Sequence, residues 1–160
     1  MDTTNISIVE AQLADLPRLQ AVLTQVNLST NDVMAERTRY WLAADAQGQP
    51  VGAVGLEFGA AAVLLRSAAV SPALQGHGLG AALVQRALDA TLAAGYRQIY
   101  LFSTEAGSYW QRHGFREVPV PELVAALPDA PQVKHYEQLG WLPTEIAWRR
   151  NLDEPGQAST

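Results

Sequence analysis

The run "AAVLLRSAAV" (61–70) is apolar without helical spacing, and "SPALQGHGLG" (71–80) is dense in glycine. "AALVQRALDATLAAG" (81–95) carries apolar residues at helical intervals, and "RQIYLFS" (97–103) is a second strand-like run. This succession of strand, glycine loop, helix and strand constrains the architecture more than any other part of the chain. Two strands joined through a helix can lie parallel in one sheet, because the crossover returns the chain to the end from which it started. Leu79, Leu83, Val84, Leu88 and Leu92 form a stripe expected to cover a sheet face, and Gly95 is the expected helix stop.

Upstream the pattern changes. "ISIV" (6–9) reads as a strand and "DLPRLQAVLTQVN" (15–27) as a helix, with Asp15 as N-cap, Pro17 in the first turn and Leu16, Leu19, Val22, Leu23 and Val26 facing a sheet. "STNDVMAE" (29–36) is expected to form a short second helix. "RTRYWLAAD" (37–45), "PVGAVGLEF" (50–58) and the run at 61–70 are three strands separated by "AQGQ" and by Gly59, which punctuate like hairpin turns. Downstream, "EAGSYWQRHG" (105–114) is a short helix ended by Gly114, "FREVPV" an extended piece, "PELVAALP" and "VKHYEQLG" short helices, and "WLPTEIAWRR" a last strand. The expected fold is α/β: a mixed, mostly antiparallel central sheet with one parallel strand pair, flanked by helices.

With 160 residues the chain suits one domain, taken as 1–152, followed by a tail, "DEPGQAST" (153–160), expected to be disordered because it has nothing to bury. No apolar run approaches membrane-spanning length, and the acidic, polar start lacks the basic and apolar regions of a secretory signal, so a cytoplasmic protein with no membrane partner is expected. A net charge of −5 argues against nucleic acid as a partner. The absence of cysteine removes disulfides, thiolate metal sites and a cysteine acyl-enzyme. His77, His113 and His135 are dispersed, so no metal site is expected.

Glycine-rich turns from strand to helix commonly hold phosphate on backbone N–H groups, which suits an acidic protein because no side-chain cation is needed. Successive N–H groups from Leu74 to Gly80 are the expected cradle. Gly76, Gly78 and Ala81 fit the G-x-G-x-x-A dinucleotide pattern. Against it stand the mid-chain position, the residues "SPALQ" between strand and first glycine, and the lack of an acidic residue at the end of "RQIYLFS". No Gly-Lys-Ser/Thr follows, so a P-loop is excluded. A loop whose glycines merely permit a tight turn is the remaining alternative.

Read as Gln75, Gly76, His77, Gly78, Leu79, Gly80, the loop is Q-x-x-G-x-G. With "VSP" before it, Gly114-Phe115 after the short helix, and the order of elements from about Ile6 to Arg149, the chain resembles the GNAT superfamily of N-acetyltransferases. "LLRSAAVSP", "YLFSTEAGSYWQRHGF" and "PELVAALP" are most similar to its amino-acid acetyltransferase subgroup, that of the acetylglutamate synthase acetyltransferase domain and arsenic-resistance-associated relatives. The resemblance implies the GNAT fold with its splayed parallel strand pair and acetyl-CoA as co-substrate. It places Gln75, Gly76, His77, Gly78, Leu79 and Gly80 on the pyrophosphate, and Ala68, Ala69 and Val70 along the pantetheine arm. A backbone N–H near Ala68 would polarise the acetyl carbonyl. It also implies a small-molecule amine as acceptor, with amino acids among the candidates; the alternative is a CoA-binding regulatory module with little or no catalysis.

Without cysteine, the implied chemistry is direct attack of the amine on the thioester, which needs a base and benefits from an acid. Glu57, an isolated carboxylate in an apolar strand, is the candidate base, since burial would raise its pKa; the other reading is a solvent-facing strand residue. The position where many superfamily members carry an acidic tyrosine is Trp110 here, and indole donates no proton to a thiolate. Tyr109 is the candidate acid, or else with Trp110 a core or pocket-wall aromatic, with water as the default donor. Arg66 is a candidate carboxylate clamp, or else a surface or salt-bridged arginine. By the same resemblance, Ser103 and Thr104 line the acceptor pocket. "VKHYEQLGWLPTE" (133–145) matches no subgroup; it is expected to cover the acceptor site, with Tyr136 or Trp141 shaping specificity, or to pack at a homodimer interface.

Overall fold

The computed structural model describes residues 5–152. Seven strands form one sheet in the order β1-β2-β3-β4-β5-β7-β6. They are β1 (Ser7–Glu10), β2 (Thr38–Ala44), β3 (Pro50–Phe58), β4 (Val63–Val70), β5 (Gln98–Phe102), β6 (Arg116–Val118) and β7 (Ala147–Asn151). The helices are α1 (Leu16–Gln25), α2 (Leu79–Ala93), α3 (Gly107–Arg112), α4 (Val120–Ala126) and α5 (Pro131–Leu139). β4 and β5 pair in parallel, Val63 opposite Ile99 and Leu64 opposite Tyr100, as a helical crossover requires. The pairs β1–β2, β5–β7 and β6–β7 are antiparallel. The expected tail at 153–160 lies outside the described residues.

The chain divides into two compact units, one running to Leu56 and resuming over Leu65–Asp89, the other comprising Glu57–Leu64 and the chain from Ala90. In the first, Leu19, Val22 and Leu23 of α1 pack with Tyr40, Leu42, Ala53 and Ala69 of three strands. A Cβ on Gly52 would meet Leu79 and Leu83 of α2 at 3.3 and 3.0 Å. Gly52 and Ala53 are neighbours in β3 and so face opposite sides of the sheet, which puts α1 and α2 on opposite faces. In the second unit Tyr100, Ala147, Leu64 and Val118 pack with Leu123, Leu127 and Val133 of the α4–α5 region. Trp148, the neighbour of Ala147, lies against Gly107 of α3, so α3 occupies the other face. Glu122 of α4 accepts the Tyr100 hydroxyl at 2.9 Å and pairs with Arg149, tying the helix to two adjacent strands. Burial first, then this carboxylate, holds the Tyr100 phenol above its ordinary pKa.

Four local expectations are revised. Residues 29–36 form turns rather than a helix, with Asp32 and Met34 in left-handed conformations. Asp15 does not cap α1 with its side chain; it accepts the Gln12 N–H at 2.9 Å and pairs with Arg18. Leu92 is 38% exposed, while Ala87 and Thr91 join Leu79, Leu83, Val84 and Leu88 in burial. A helical stripe advances about 100° per residue, so the buried line reaches Thr91 and leaves Leu92 to one side. Finally, Leu74 and Gln75 spend their N–H groups on Ser71 and Pro72 within a 3-10 turn, which shortens the expected cradle at its start.

Gly55 is a tight point of the first core. A Cβ there would lie 2.3 Å from Cε2 of fully buried Tyr40. Gly55→Ala is therefore expected to cost about 2–3 kcal/mol, or roughly 4–12 °C in Tm, through overpacking. A thermal melt within 2 °C of the parent would show that the ring moves aside freely.

Candidate functional site

The glycine loop belongs to the first unit. β4 ends at Val70, the 3-10 turn Pro72–Leu74 follows, and Gln75 to Gly78 are exposed before α2 begins at Leu79. Gly76 and Gly78 have φ of +84° and +86°, a region L side chains rarely occupy, and a Cβ on either would meet nothing within 4 Å. Glycine is there for backbone direction, and the space beside it is open. Gln75 Nε2 donates to the Val70 carbonyl at 3.0 Å, bracing the loop against the strand end. The Ala82 N–H donates to Gly78 at 3.1 Å, so the N–H groups of Leu79, Gly80 and Ala81 precede the first helical bond and have no intrahelical acceptor. Positive-φ glycines followed by orphan N–H groups at a 15-residue helix make a place for an anion.

β4 carries a second irregularity. Ser67 has φ +60° inside the strand, and Ser67 and Ala68 are more exposed than Arg66 and Ala69 on either side. A left-handed non-glycine residue costs on the order of 1–3 kcal/mol and re-aims the backbone after it, here that of Ala68, Ala69 and Val70. Arg66 is buried at 6% exposure, donating from Nε to Ser67 Oγ at 3.1 Å and from Nη2 to the Asn31 carbonyl at 2.9 Å. The surface reading of Arg66 is thus set aside, and its guanidinium ties the 29–36 turns to the irregular strand residue.

In the second unit Glu57, at the end of β3, is 1% exposed, which sets aside the solvent-facing reading. Its Oε1 accepts the N–H of Gln132, the second residue of α5, at 3.0 Å. The bond gives the buried carboxylate a main-chain partner at the start of the helix. Gln132 Nε2 in turn donates to the Tyr136 hydroxyl at 3.3 Å. No sequence motif marks Gln132, and its one local signal is its place in the first turn after Pro131.

Ser103 follows β5, and its Oγ accepts the Ala106 N–H at 3.3 Å at the start of α3. That contact occupies an oxygen lone pair and leaves the hydroxyl hydrogen its donor role. Thr104 is exposed. Tyr109 is half-buried on α3, packed edge-on to Trp110 at 5.0 Å and against His113 at 4.7 Å, with the Arg112 guanidinium over its ring. Burial raises the Tyr109 pKa despite Arg112, so the phenol keeps its proton. Burial, with Arg150 and Arg112, lowers that of His113. Trp110 is buried against Phe115 and so serves the core. Among the described residues no group of three or more His, Asp or Glu is arranged to hold a metal ion, and no helix is long and apolar enough to cross a membrane.

The seven-stranded mixed sheet with one parallel pair, helices on its faces and a glycine loop opening α2 is shared with solved acetyltransferase structures. An acetyltransferase of the GNAT family from Staphylococcus aureus Mu50 superposes with TM-score 0.72 at 17% identity, over 92% of this chain and 99% of that one. N-acetylglutamate synthase from Neisseria gonorrhoeae, complexed with coenzyme A and L-arginine, gives 0.72 at 20% identity over 93% of this chain, which spans only 34% of that protein. Rv2747 from Mycobacterium tuberculosis, in complex with CoA, gives 0.70 at 20% identity over 91% and 99%. No curated protein matches by sequence. The family model for the acetyltransferase (GNAT) domain matches residues 36–117, half of the chain, and the protein belongs to that family of N-acetyltransferases.

Proposed function

We propose that the protein transfers the acetyl group of acetyl-CoA to the amine of a small molecule, with amino acids among the candidate acceptors. The observation that carries this reading is the loop, where positive-φ glycines beside open space lead into orphan helix N–H groups. A pyrophosphate fits that geometry, and the solved structures similar in fold include proteins crystallised with coenzyme A. Backbone re-aimed at Ser67 would lie along the pantetheine arm, with an N–H near Ala68 polarising the acetyl carbonyl. The amine lone pair then forms the C–N bond as the C–S bond breaks. Glu57 takes the ammonium proton before attack and so frees that lone pair; the departing thiolate is protonated by Tyr109 or by water, and the proton lost from the acylated nitrogen restores the donor.

Calorimetry with acetyl-CoA, together with thiol release across amino acids and polyamines, tests the reading. Saturable binding and turnover on at least one amine are expected. Binding without turnover favours a regulatory module, and no binding rejects the function. Arg66 is proposed as the acceptor's carboxylate clamp, with Ser103 and Thr104 donating hydrogen bonds to the acceptor. Arg66→Lys, which keeps the charge but loses the planar fork, should raise KM about tenfold for carboxylate-bearing acceptors and leave other amines within twofold. An equal effect on both classes rejects the clamp.

A further inference from the structure

The residues joining Glu57 to α5 continue into an aromatic surface that the proposed chemistry does not use. Tyr136 packs against Phe102 at 5.2 Å between ring centroids and against Trp141 at 5.3 Å, giving three rings in succession. The helix end fixes the third. Gly140 takes φ +73°, its N–H donates to Glu137, and the Trp141 N–H reaches back to Tyr136 at 2.9 Å. These paired bonds turn the chain so that the residue after the glycine folds over the last helical turn, where the indole meets the Tyr136 ring. The Tyr136 and His135 rings both pack on the indole, at 5.3 and 6.4 Å, yet Trp141 remains 47% exposed, whereas Trp41, Trp110 and Trp148 are 3%, 7% and 5% exposed.

At the other end of the same helix, Gln132 holds both the Tyr136 hydroxyl and the buried Glu57 carboxylate. Gln132 and Tyr136 are four residues apart and share a face of α5. Tyr136 and Trp141 thus form an apolar wall at the C-terminal end of α5, and the Glu57 carboxylate lies against the main chain of its first turn. A surface built only to bind another protein has no need of a fully buried acid at its margin. A small amine needs both parts, a flat surface for its carbon skeleton and an anion toward which its nitrogen is drawn.

We infer that this face of α5 is the acceptor subsite and that the acceptor is an amine carrying an aromatic ring, the ring on Tyr136 and Trp141 and the nitrogen toward Glu57. The inference rests on the acetyltransfer reading and on Glu57 as its base. The main-chain N–H of Gln132 meets the Glu57 carboxylate and its side chain meets the Tyr136 hydroxyl, so the two ends of the subsite are joined through this residue.

The test compares phenethylamine, ethylamine and glutamate as acceptors in the full chain and in Trp141→Leu, which keeps an apolar contact on Tyr136 but removes the exposed ring. The parent should favour phenethylamine over ethylamine in kcat/KM by about tenfold or more. Trp141→Leu should remove most of that ratio through KM, with ethylamine within twofold and acetyl-CoA affinity unchanged. Because the other three tryptophans are buried, acrylamide quenching reports chiefly on Trp141, and phenethylamine should shield it in the CoA-saturated protein. A ratio near one, a preference for glutamate, an equal loss on both amines or an absence of shielding overturns the inference. So does a Trp141→Leu protein that changes its sedimentation from dimer to monomer and regains parent kinetics at high concentration, since the wall is then a subunit contact. Shielding by phenethylamine without turnover of any amine would preserve the subsite and reject the acetyltransfer reading, so the two failures are distinct.

Discussion

Gly78→Glu should abolish acetyl-CoA binding while leaving the fold intact. The position has φ +86° and open space around the added Cβ, so the fold-level cost is that of a left-handed side chain, about 1–2 kcal/mol. What changes is the cradle. A carboxylate about 4 Å from a pyrophosphate charge, at an effective dielectric near 20, opposes binding by about 4 kcal/mol, or roughly a thousandfold. Gly78→Ala carries the same backbone strain without the charge and should lose no more than about tenfold. Calorimetry on both variants, with thermal melts to confirm folding, separates strain from repulsion. Parent-like affinity in Gly78→Glu would remove the loop from the coenzyme site.

Glu57→Gln should lower turnover by about a hundredfold or more, the usual scale for losing a positioned base. Glutamine is nearly isosteric, and its oxygen can still accept the Gln132 N–H that Oε1 accepts now, so the start of α5 stays capped. The sign of the pH response follows from the chemistry. In the parent, Glu57 removes the ammonium proton; in the variant the amine must lose it unaided, which happens more readily as pH rises. The deficit should therefore be largest at low pH and narrow toward alkaline pH. A parallel, pH-independent loss would mark Glu57 as structural, and an unaltered profile would reject the base.

The parts of this fold that were legible share one property, which is that their determinants are close together in the chain. β3 runs over Pro50–Phe58 as its apolar run and flanking turn residues predict, and α2 stops near Gly95, whose φ is +91°. The glycine loop was legible for the same reason. The environment of Glu57 was not, because its hydrogen-bond donor lies 75 residues further along. Ser67 was hidden differently: a left-handed serine in a strand leaves no local signal, since its neighbours read as β in any register. The 29–36 segment misled because a polar stretch with modest helix propensity was overridden by two left-handed residues and by its carbonyl contact with Arg66. The coenzyme-binding half of the chemistry is concentrated in one contiguous stretch, while the proposed acceptor half draws on Glu57 of β3, Arg66 of β4, Ser103 and Thr104 after β5, and Tyr136 and Trp141 in and after α5.

The strand order has a consequence for how the molecule is made. β7 lies between β5 and β6, with Gln98–Phe102 opposite Ala147–Asn151 on one side and Arg116–Val118 opposite Ala147–Arg149 on the other. During synthesis β6 emerges some thirty residues before its partner, and β5 has an open edge throughout that interval. β7 therefore acts as a latch, entering between β5 and β6 only after α4 and α5 have been made. A nascent chain halted before residue 147 would present two unpaired edges, the condition under which sheets join to other chains. Such a chain should depend on chaperones until β7 has left the ribosome.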